Sequence, residues 1–326
     1  MLRREDMHTA TGTDDPSGSL EQRIRDRAAE LGFSACGFAL CADLTEEQHR
    51  FEAWLAAGHQ AGMGYLERYP EVRFHPSMLA EGCAHVVVVL LNYHRTDYLS
   101  QKKTPFRVAE YALGRDYHAV MREKLHQLAA FMETLGQQVR TRCCVDTAPV
   151  MEKALAVRAG LGWRGRNTLL VTPAGSKFFI GEVFTSLPLR SDSPMDDGCG
   201  LCRRCVEACP AGALGRVNLD ARRCLSYQTI ERKELSLSHA AAGCLGTRIY
   251  GCDVCQDVCP YNRHAPETEV ADFLRRPEWF GWTEEQWRQM DAETYRKQFK
   301  DSAMQRIGFE KLKENIRVAE AHLDEP

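Results

Sequence analysis

Seven cysteines in two short runs constrain this chain more than any other feature. The first run reads Cys199-Gly-Leu-Cys202-Arg-Arg-Cys205-Val-Glu-Ala-Cys209-Pro210, the second Cys252-Asp-Val-Cys255-Gln-Asp-Val-Cys259-Pro260. The first has the C-x2-C-x2-C-x3-C-P spacing in which three thiolates grip one 4Fe-4S cluster and the fourth, before proline, reaches to a second cluster. The second run keeps the x2 and x3 spacings but lacks a leading cysteine, so another must complete the set. Cys224 and Cys244 both lie between the runs. Exchanging the Cys-Pro ligands gives Cys199, Cys202, Cys205 and Cys259 on one cluster. The other takes Cys209, Cys252 and Cys255, with Cys224 or Cys244 as its fourth ligand.

A structural zinc site built from two CxxC pairs is the simpler alternative. It would leave Cys205, Cys209, Cys259 and both following prolines unexplained. No C-x3-C-x2-C run occurs, so the radical-SAM pattern is absent. Two low-potential clusters make an electron wire, and the rest of the chain must say what the wire feeds.

Of the 326 residues 44% are hydrophobic, enough for one large domain and a smaller one. No apolar run approaches the ~20 residues of a membrane helix, and Met1 to Ser19 is polar rather than signal-like. The expectation is a soluble, cytoplasmic protein with no membrane partner. Fourteen cysteines agree with that, because cluster ligands must stay reduced thiolates. A net charge of -3 gives no bulk attraction to nucleic acid, so such a partner must meet a local basic patch.

Along the chain, composition predicts a disordered tail over residues 1 to 19. Ser19-Leu-Glu-Gln22 has capping-box form and opens a helix with Leu20, Ile24, Ala28 and Leu31 on one face and Gly32 at its end. Phe33 to Ala39 reads as a strand, Thr45 opens a second helix that closes near Gly58, and His85 to Asn92 is a fully buried strand. Asp116 to Leu135 is a long amphipathic helix, Val139 to Val145 a strand, Val150 to Ala159 a helix, and Lys177 to Ser186 another buried strand. Helices alternating with apolar strands predict an α/β, layered domain around a largely apolar sheet.

The strand Val139 to Val145 delivers Asp146 into the turn before the next helix, where α/β folds place ligands. That makes Asp146 the first choice for a catalytic acid. The bland alternative is that Asp146 caps the following helix. The two roles conflict, because a helix N-terminus lowers a carboxyl pKa and a general acid needs it raised by burial. The glycine-rich stretch from Ala159 to Thr168 runs from helix into strand, so it is neither a P-loop nor a dinucleotide fingerprint. Asp116-Tyr-His118-Ala-Val-Met121 approaches the D-x-H-x-x-G cobalt-ligating motif, but Met121 stands where glycine belongs. His118 is therefore read as a helix-face residue.

Five strings taken together resemble one family, the epoxyqueuosine reductases. They are Tyr111 to His118 (YALGRDYH), Val145 to Pro149 (VDTAP), Ala159 to Trp163 (AGLGW), Leu219 to Tyr227 (LDARRCLSY) and Arg248 to Gln256 (RIYGCDVCQ), within a match from about Leu20 to Val318. The resemblance implies a cobalamin-binding domain similar to that of reductive dehalogenases, fused to a ferredoxin-like module with two 4Fe-4S clusters. It implies Cys224 as the missing ligand, Asp146 as proton donor, and Arg73, Asn167, Thr168 and Ser226 as cobalamin contacts. It also implies the reaction: reduction of epoxyqueuosine to queuosine at the wobble position of tRNA, the last step of queuosine synthesis. Cobalt(I) would attack the epoxide while Asp146 protonates the departing oxygen.

The expected organisation is a tail over 1–19, a catalytic domain over 20–190, a cluster module over 191–265 and a helical segment over 266–326. Many family members continue into helical repeats; this chain stops at Pro326. Lys102, Lys103, Arg107, Arg222, Arg223 and Lys233 are then the basic residues available to a tRNA anticodon loop. An external low-potential electron donor and a monomeric state complete the expectation. Two rivals share features with it. A cobalamin-dependent dehalogenase would use the same wire on a small molecule, and a plain electron carrier would leave the ~200 residues before the clusters without a task.

Overall fold

The computed structural model describes residues 18–99, 104–215, 218–275 and 277–323. Most of the expected tail, and Lys102 and Lys103, lie outside the described residues. The first helix, α1 (Leu20–Glu30), starts where Ser19 Oγ accepts from the Gln22 amide at 3.2 Å and ends before Gly32 at φ +85°. It leads to β1 (Ala35–Leu40), α2 (Thr45–Ala56), α3 (Pro70–Phe74), β2 (His85–Asn92) and the short β3 (Arg107–Val108). Then follow α4 (Tyr117–Glu133), β4 (Thr141–Cys144), α5 (Glu152–Arg158), the two-residue strands β5 (Trp163–Arg164) and β6 (Leu170–Val171), and β7 (Phe178–Thr185).

The main sheet has the order β1-β2-β7-β4, and every neighbour pair is antiparallel. Strand β2 (HVVVVLLN) is central and β-branched, and all of it after His85 is buried, as a strand covered on both faces must be. Its two side-chain rows feed two cores. Val87, Val89 and Leu91 pack with Ile24, Ala28 and α4 residues such as Met121 and Leu125. Val86, Val88 and Leu90 pack with Phe74, Cys144, Leu155, Ala156 and Phe184 on the other face. The architecture is thus three layers, helix–sheet–helix, as the alternation predicted. The strand directions were not predicted, and with no parallel pair in this sheet the strand-end rule for parallel sheets does not explain where Asp146 sits.

Gly181 of β7 allows α4 to lie close, because a Cβ there would stand 2.5 Å from Met121 Cε. That contact sets the depth at which the N-terminus of α4 meets the sheet. The glycine-rich stretch forms the β5–β6 hairpin rather than one longer strand, with Thr168 at φ +65° in its turn.

Beyond the sheet the chain turns short and irregular: α6 (Arg204–Glu207), α7 (His239–Ala242), β8 (Arg248–Tyr250) and α8 (Val254–Asp257). A third core joins Val108 and Leu113 to Leu225, Ile249, Trp279, Trp287, Phe299 and the C-terminal helix Phe309–Glu320. Strand β3 pairs parallel with β8, so the segment between β2 and α4 belongs to this second body of structure. A buried polar seam fastens the two. Lys177 Nζ meets Glu110 Oε2 at 2.5 Å, the Glu110 amide donates to Asp253 Oδ2 at 2.7 Å, and Gln256 Nε2 donates to the Ser176 carbonyl at 2.9 Å. Asp253 and Gln256 flank Cys255, so the seam fixes the second cysteine run against the sheet.

Candidate active site and electron path

Asp146 lies two residues beyond the end of β4, with φ +50°. That left-handed conformation is unusual for a residue with a Cβ and is met where surrounding structure enforces it. Its carboxylate does not cap α5. The N-cap there is Met151, with no side-chain capping bond. Instead Asp146 Oδ2 accepts from Tyr117 Oη at 2.6 Å and meets His118 Nε2 at 2.9 Å. The capping alternative is overturned, whereas His118 lies on helix α4 as read from the sequence and from there reaches Asp146.

The N-terminus of α4 arranges both partners. Asp116 caps the helix, accepting from the His118 amide at 2.9 Å, and its Oδ1 also meets His118 Nδ1 at 2.8 Å. Tyr117 stacks on Phe179 of β7, centroids 4.2 Å apart and planes within 2°. The imidazole is therefore held between two carboxylates, which raise its pKa to about 9, Asp116 most and then Asp146. The His118 bond, followed by that of Tyr117, holds the Asp146 carboxyl below its ordinary range against the opposing pull of burial. The two shifts run in opposite senses, His118 toward the imidazolium and Asp146 toward the carboxylate. The Asp146 side chain remains 43% exposed, open to a ligand.

Two further carboxyls stand behind Asp146. Glu152 of α5 accepts a short hydrogen bond from the Asp146 amide, and burial with the Asp146 charge raises its pKa to about 7. Glu182 of β7 is fully buried, neither oxygen has a hydrogen-bond partner, and burial pushes its pKa well up. Sequence reasoning passed over both, although an acidic residue inside KFFIGEVFTS breaks the apolar run and was the available signal.

Around this centre Tyr65, 45% exposed, feels Arg306 and the Asp146 charge, and Arg306 pairs with Glu231 at 2.8 Å. Arg73 is 8% exposed, lies over the Phe51 ring at 5.6 Å, and keeps a buried Nε without a partner. Asn167 is buried in the β5–β6 turn with Thr168, and its neighbour Arg166 donates to the Gly200 carbonyl, so this pair stands toward the first cysteine run. Ser226 is partly buried just before a π-turn, Tyr227–Glu231, and the Tyr227 hydroxyl accepts from the Gly62 amide at 2.9 Å.

The cysteines of the two runs influence one another and the thiols between them. All are free thiols. Cys205 is raised by burial and then by Cys199, Cys259 and Cys202; Cys259 likewise feels Cys199 and Cys202. Cys224 feels Cys209, Cys252 feels Cys224, and Cys255 feels both Cys252 and Cys224, burial being the larger influence on each. Cys244 also lies near Cys209, but its thiol donates to the Ala240 carbonyl at 3.2 Å. Among the described residues no set of three or more His, Cys, Asp or Glu closes around a single metal ion. Of the basic residues, Arg107, Arg222, Arg223 and Lys233 are exposed, but Arg222 is paired with Asp220 at 2.8 Å.

Two such cysteine runs following an α/β domain mark an iron–sulfur oxidoreductase. Residues 198–262 match the family model described as a 4Fe-4S double cluster binding domain, and residues 73–147 match that described as epoxyqueuosine reductase QueG. An epoxyqueuosine reductase from Cyclobacterium marinum is 40% identical over 299 residues, covering 90% of this chain and 95% of that one. A crystal structure of an epoxyqueuosine reductase with an epoxyqueuosine-modified tRNA-Tyr stem loop superposes with TM-score 0.85 at 28% identity, covering 93% of this chain and 81% of that one. The Bacillus subtilis epoxyqueuosine reductase superposes with TM-score 0.81 at 27% identity over the same shares, in a structure described as having an aspartate catalytic loop swung out of the active site. The chain belongs to the epoxyqueuosine reductase family, and its activity is the reduction of epoxyqueuosine. No helix among the described residues is long and apolar enough to cross a membrane.

Proposed function

We propose that this chain reduces epoxyqueuosine within tRNA, at the wobble position, using two 4Fe-4S clusters and cobalamin, with the His118–Asp146 pair as proton donor. The observation that carries this reading is the contact of His118 Nε2 with Asp146 Oδ2 at an open site, in a chain that also bears the two cysteine runs. The related structure with a tRNA stem loop supports the substrate, and the Bacillus subtilis structure supports a catalytic role for an aspartate loop.

The chain's own chemistry fits both cofactors. Cys199, Cys202, Cys205 and Cys259 hold one cluster, and Cys209, Cys224, Cys252 and Cys255 the other. For cobalamin, a large ring rimmed with amides, the unspent polar atom of buried Arg73 is a suited partner, with Tyr65 exposed nearby. Arg73, Asn167, Thr168 and Ser226 contribute to that pocket. When bound, reduced cobalamin supplies a cobalt(I) nucleophile toward an epoxide carbon.

The protein's task is then to deliver electrons and protons and to orient the base. An external low-potential carrier supplies two electrons through the clusters. His118, held protonated by Asp116 and Asp146, donates through Asp146 to the epoxide oxygen as it leaves; without that proton an alkoxide and then hydroxide would have to depart. The base must be splayed from its loop to reach Asp146. The division into a catalytic domain over 20–190, a cluster module over 191–265 and a helical segment over 266–326 describes these tasks, with the exposed Arg107, Arg223 and Lys233 available to RNA phosphates.

Trp163 tunes the wire. Its Nε1 donates to Cys199 Sγ at 3.4 Å, and it packs edge-on to Tyr261, whose hydroxyl donates to the Gly198 carbonyl at 3.0 Å. Hydrogen bonds to cluster sulfur raise the reduction potential. Trp163→Phe keeps the packing and removes the donor, so one potential falls by about 1 kcal/mol of one-electron driving force, measurable by redox titration of the cluster signal.

The test of function is complementation. In a bacterium lacking its own reductase, tRNA retains the epoxide nucleoside; expressing this chain is expected to convert it to a nucleoside lighter by one oxygen. Unchanged epoxide, with the protein folded and carrying both clusters, overturns the reading.

A further inference from the structure

Epoxide deoxygenation balances as epoxide plus two electrons and two protons giving an alkene and water. Two carbon–oxygen bonds break and one carbon–carbon π bond forms. The electrons come from the external carrier, and the His118–Asp146 pair holds one proton. A second must reach the same oxygen before it leaves as water.

Glu182 is the unexplained residue in this neighbourhood. Its register partner on β4 is Cys144, two residues before Asp146, and on β2 it is Val88. Its row of the sheet is otherwise apolar: Val86, Val88, Leu90 and Phe184, covered by Leu155 and Ala156 of α5. A carboxyl there with both oxygens unbonded carries a desolvation cost that a partnered group does not, and a valine or leucine would pack without that cost. The groups facing it are Glu152 at the start of α5 and Asp146 in the preceding turn. From β4 only the Cys144 thiol approaches, while Arg142 turns to the Leu79 carbonyl. Around Glu152 stand Asp146, Lys153 and, further out, His118.

We propose that Glu152 and Glu182 form a two-carboxyl proton reserve behind Asp146 that supplies the second proton of the reaction. The proposal rests on the functional reading above and deepens it. Glu152, bonded to the Asp146 backbone, is the outer member, and Glu182, sealed under α5, the inner one. They act through Asp146 and do not touch the substrate. Burial favours the neutral form of both, and each ionisation opposes the other and the Asp146 charge, so a proton withdrawn from one is replaced rather than left as two adjacent anions.

Three readouts test it on reconstituted holoenzyme. Infrared spectra at neutral pH should contain a protonated-carboxyl band that shifts in heavy water and disappears in Glu182→Gln; its absence from the native protein overturns the proposal. Glu182→Gln should keep cluster content, cobalamin affinity and KM for epoxide-bearing tRNA, and lower kcat by ~10². An unchanged kcat, or a loss of cobalamin affinity instead, which would make Glu182 a cofactor contact, overturns it. Should Glu182→Gln misfold, Glu152→Gln at the rim carries the same expectation: lower kcat with a displaced pH profile. Failure of native enzyme to remove oxygen would count against the functional reading, whereas the infrared band reports on the reserve alone.

Discussion

Asp146→Asn is expected to retain both clusters and cobalamin and to lose ~10²- to 10⁴-fold in turnover, the usual worth of a positioned proton donor. The substitution keeps size and a hydrogen-bond acceptor for Tyr117 Oη but removes the anion that shares the imidazolium proton. Its pH signature is specific. His118 is raised to about 9 by its two carboxylates, so the native enzyme keeps its donor proton through neutrality and loses activity only as pH climbs through that value. In Asp146→Asn one of the two supports is gone and the alkaline limb moves to lower pH, while Asp116 retains part of the elevation. The same pair sets a stability window. A raised imidazole contributes below its unfolded pKa of ~6.5 and fades as pH rises through about 9, whereas a lowered carboxyl contributes above ~4 and fades in acid. Native and variant should therefore differ in thermal stability at neutral pH and converge at alkaline pH. Unchanged turnover in a fully loaded Asp146→Asn protein would remove Asp146 from the mechanism.

Cys224→Ala is expected to cost one whole cluster, leaving about four of about eight iron atoms per chain, and to abolish turnover because the wire is cut. The conservative control is Cys244→Ser, which should keep both clusters. The difference is geometric. Cys252 and Cys255 both feel the Cys224 thiol, and Cys224 feels Cys209, whereas Cys244 spends its S–H on the Ala240 carbonyl. Iron and sulfide analysis after anaerobic reconstitution checks both variants. A full complement in Cys224→Ala with a deficit in Cys244→Ser would exchange their roles.

What the sequence disclosed follows from how local each signal is. The Ser19 cap, the Thr45 helix start and the His85–Asn92 strand are set by neighbours a few residues away, and the structure keeps them nearly to the residue. The double-cluster module was legible for the same reason, since a cluster fixes short cysteine spacings whatever surrounds it. Strand direction was not legible: β-branched runs report burial, not which way their neighbours point. Nor was the β3–β8 pair, two residues joined to three across a separation of more than a hundred.

At the active site Asp146 drew attention by its position after a strand, but its partners were not legible in the sequence. A carboxyl pKa depends on which side chains arrive from elsewhere, and here His118 and Tyr117 arrive from the start of α4. The incomplete D-x-H-x-x-G string drew attention to His118 for cobalt ligation and away from proton chemistry. Glu182 could have been flagged from sequence as the one acid in a buried strand, but its relation to Asp146 required the β4–β7 register.

The most direct test of the central claim uses purified, anaerobically reconstituted protein with cobalamin, a strong reductant and tRNA carrying epoxyqueuosine, followed by nucleoside digestion and mass spectrometry. The expected result is loss of one oxygen mass from the modified nucleoside, dependent on cobalamin and on intact clusters. Retention of that oxygen by protein shown to hold both clusters and cobalamin would contradict it.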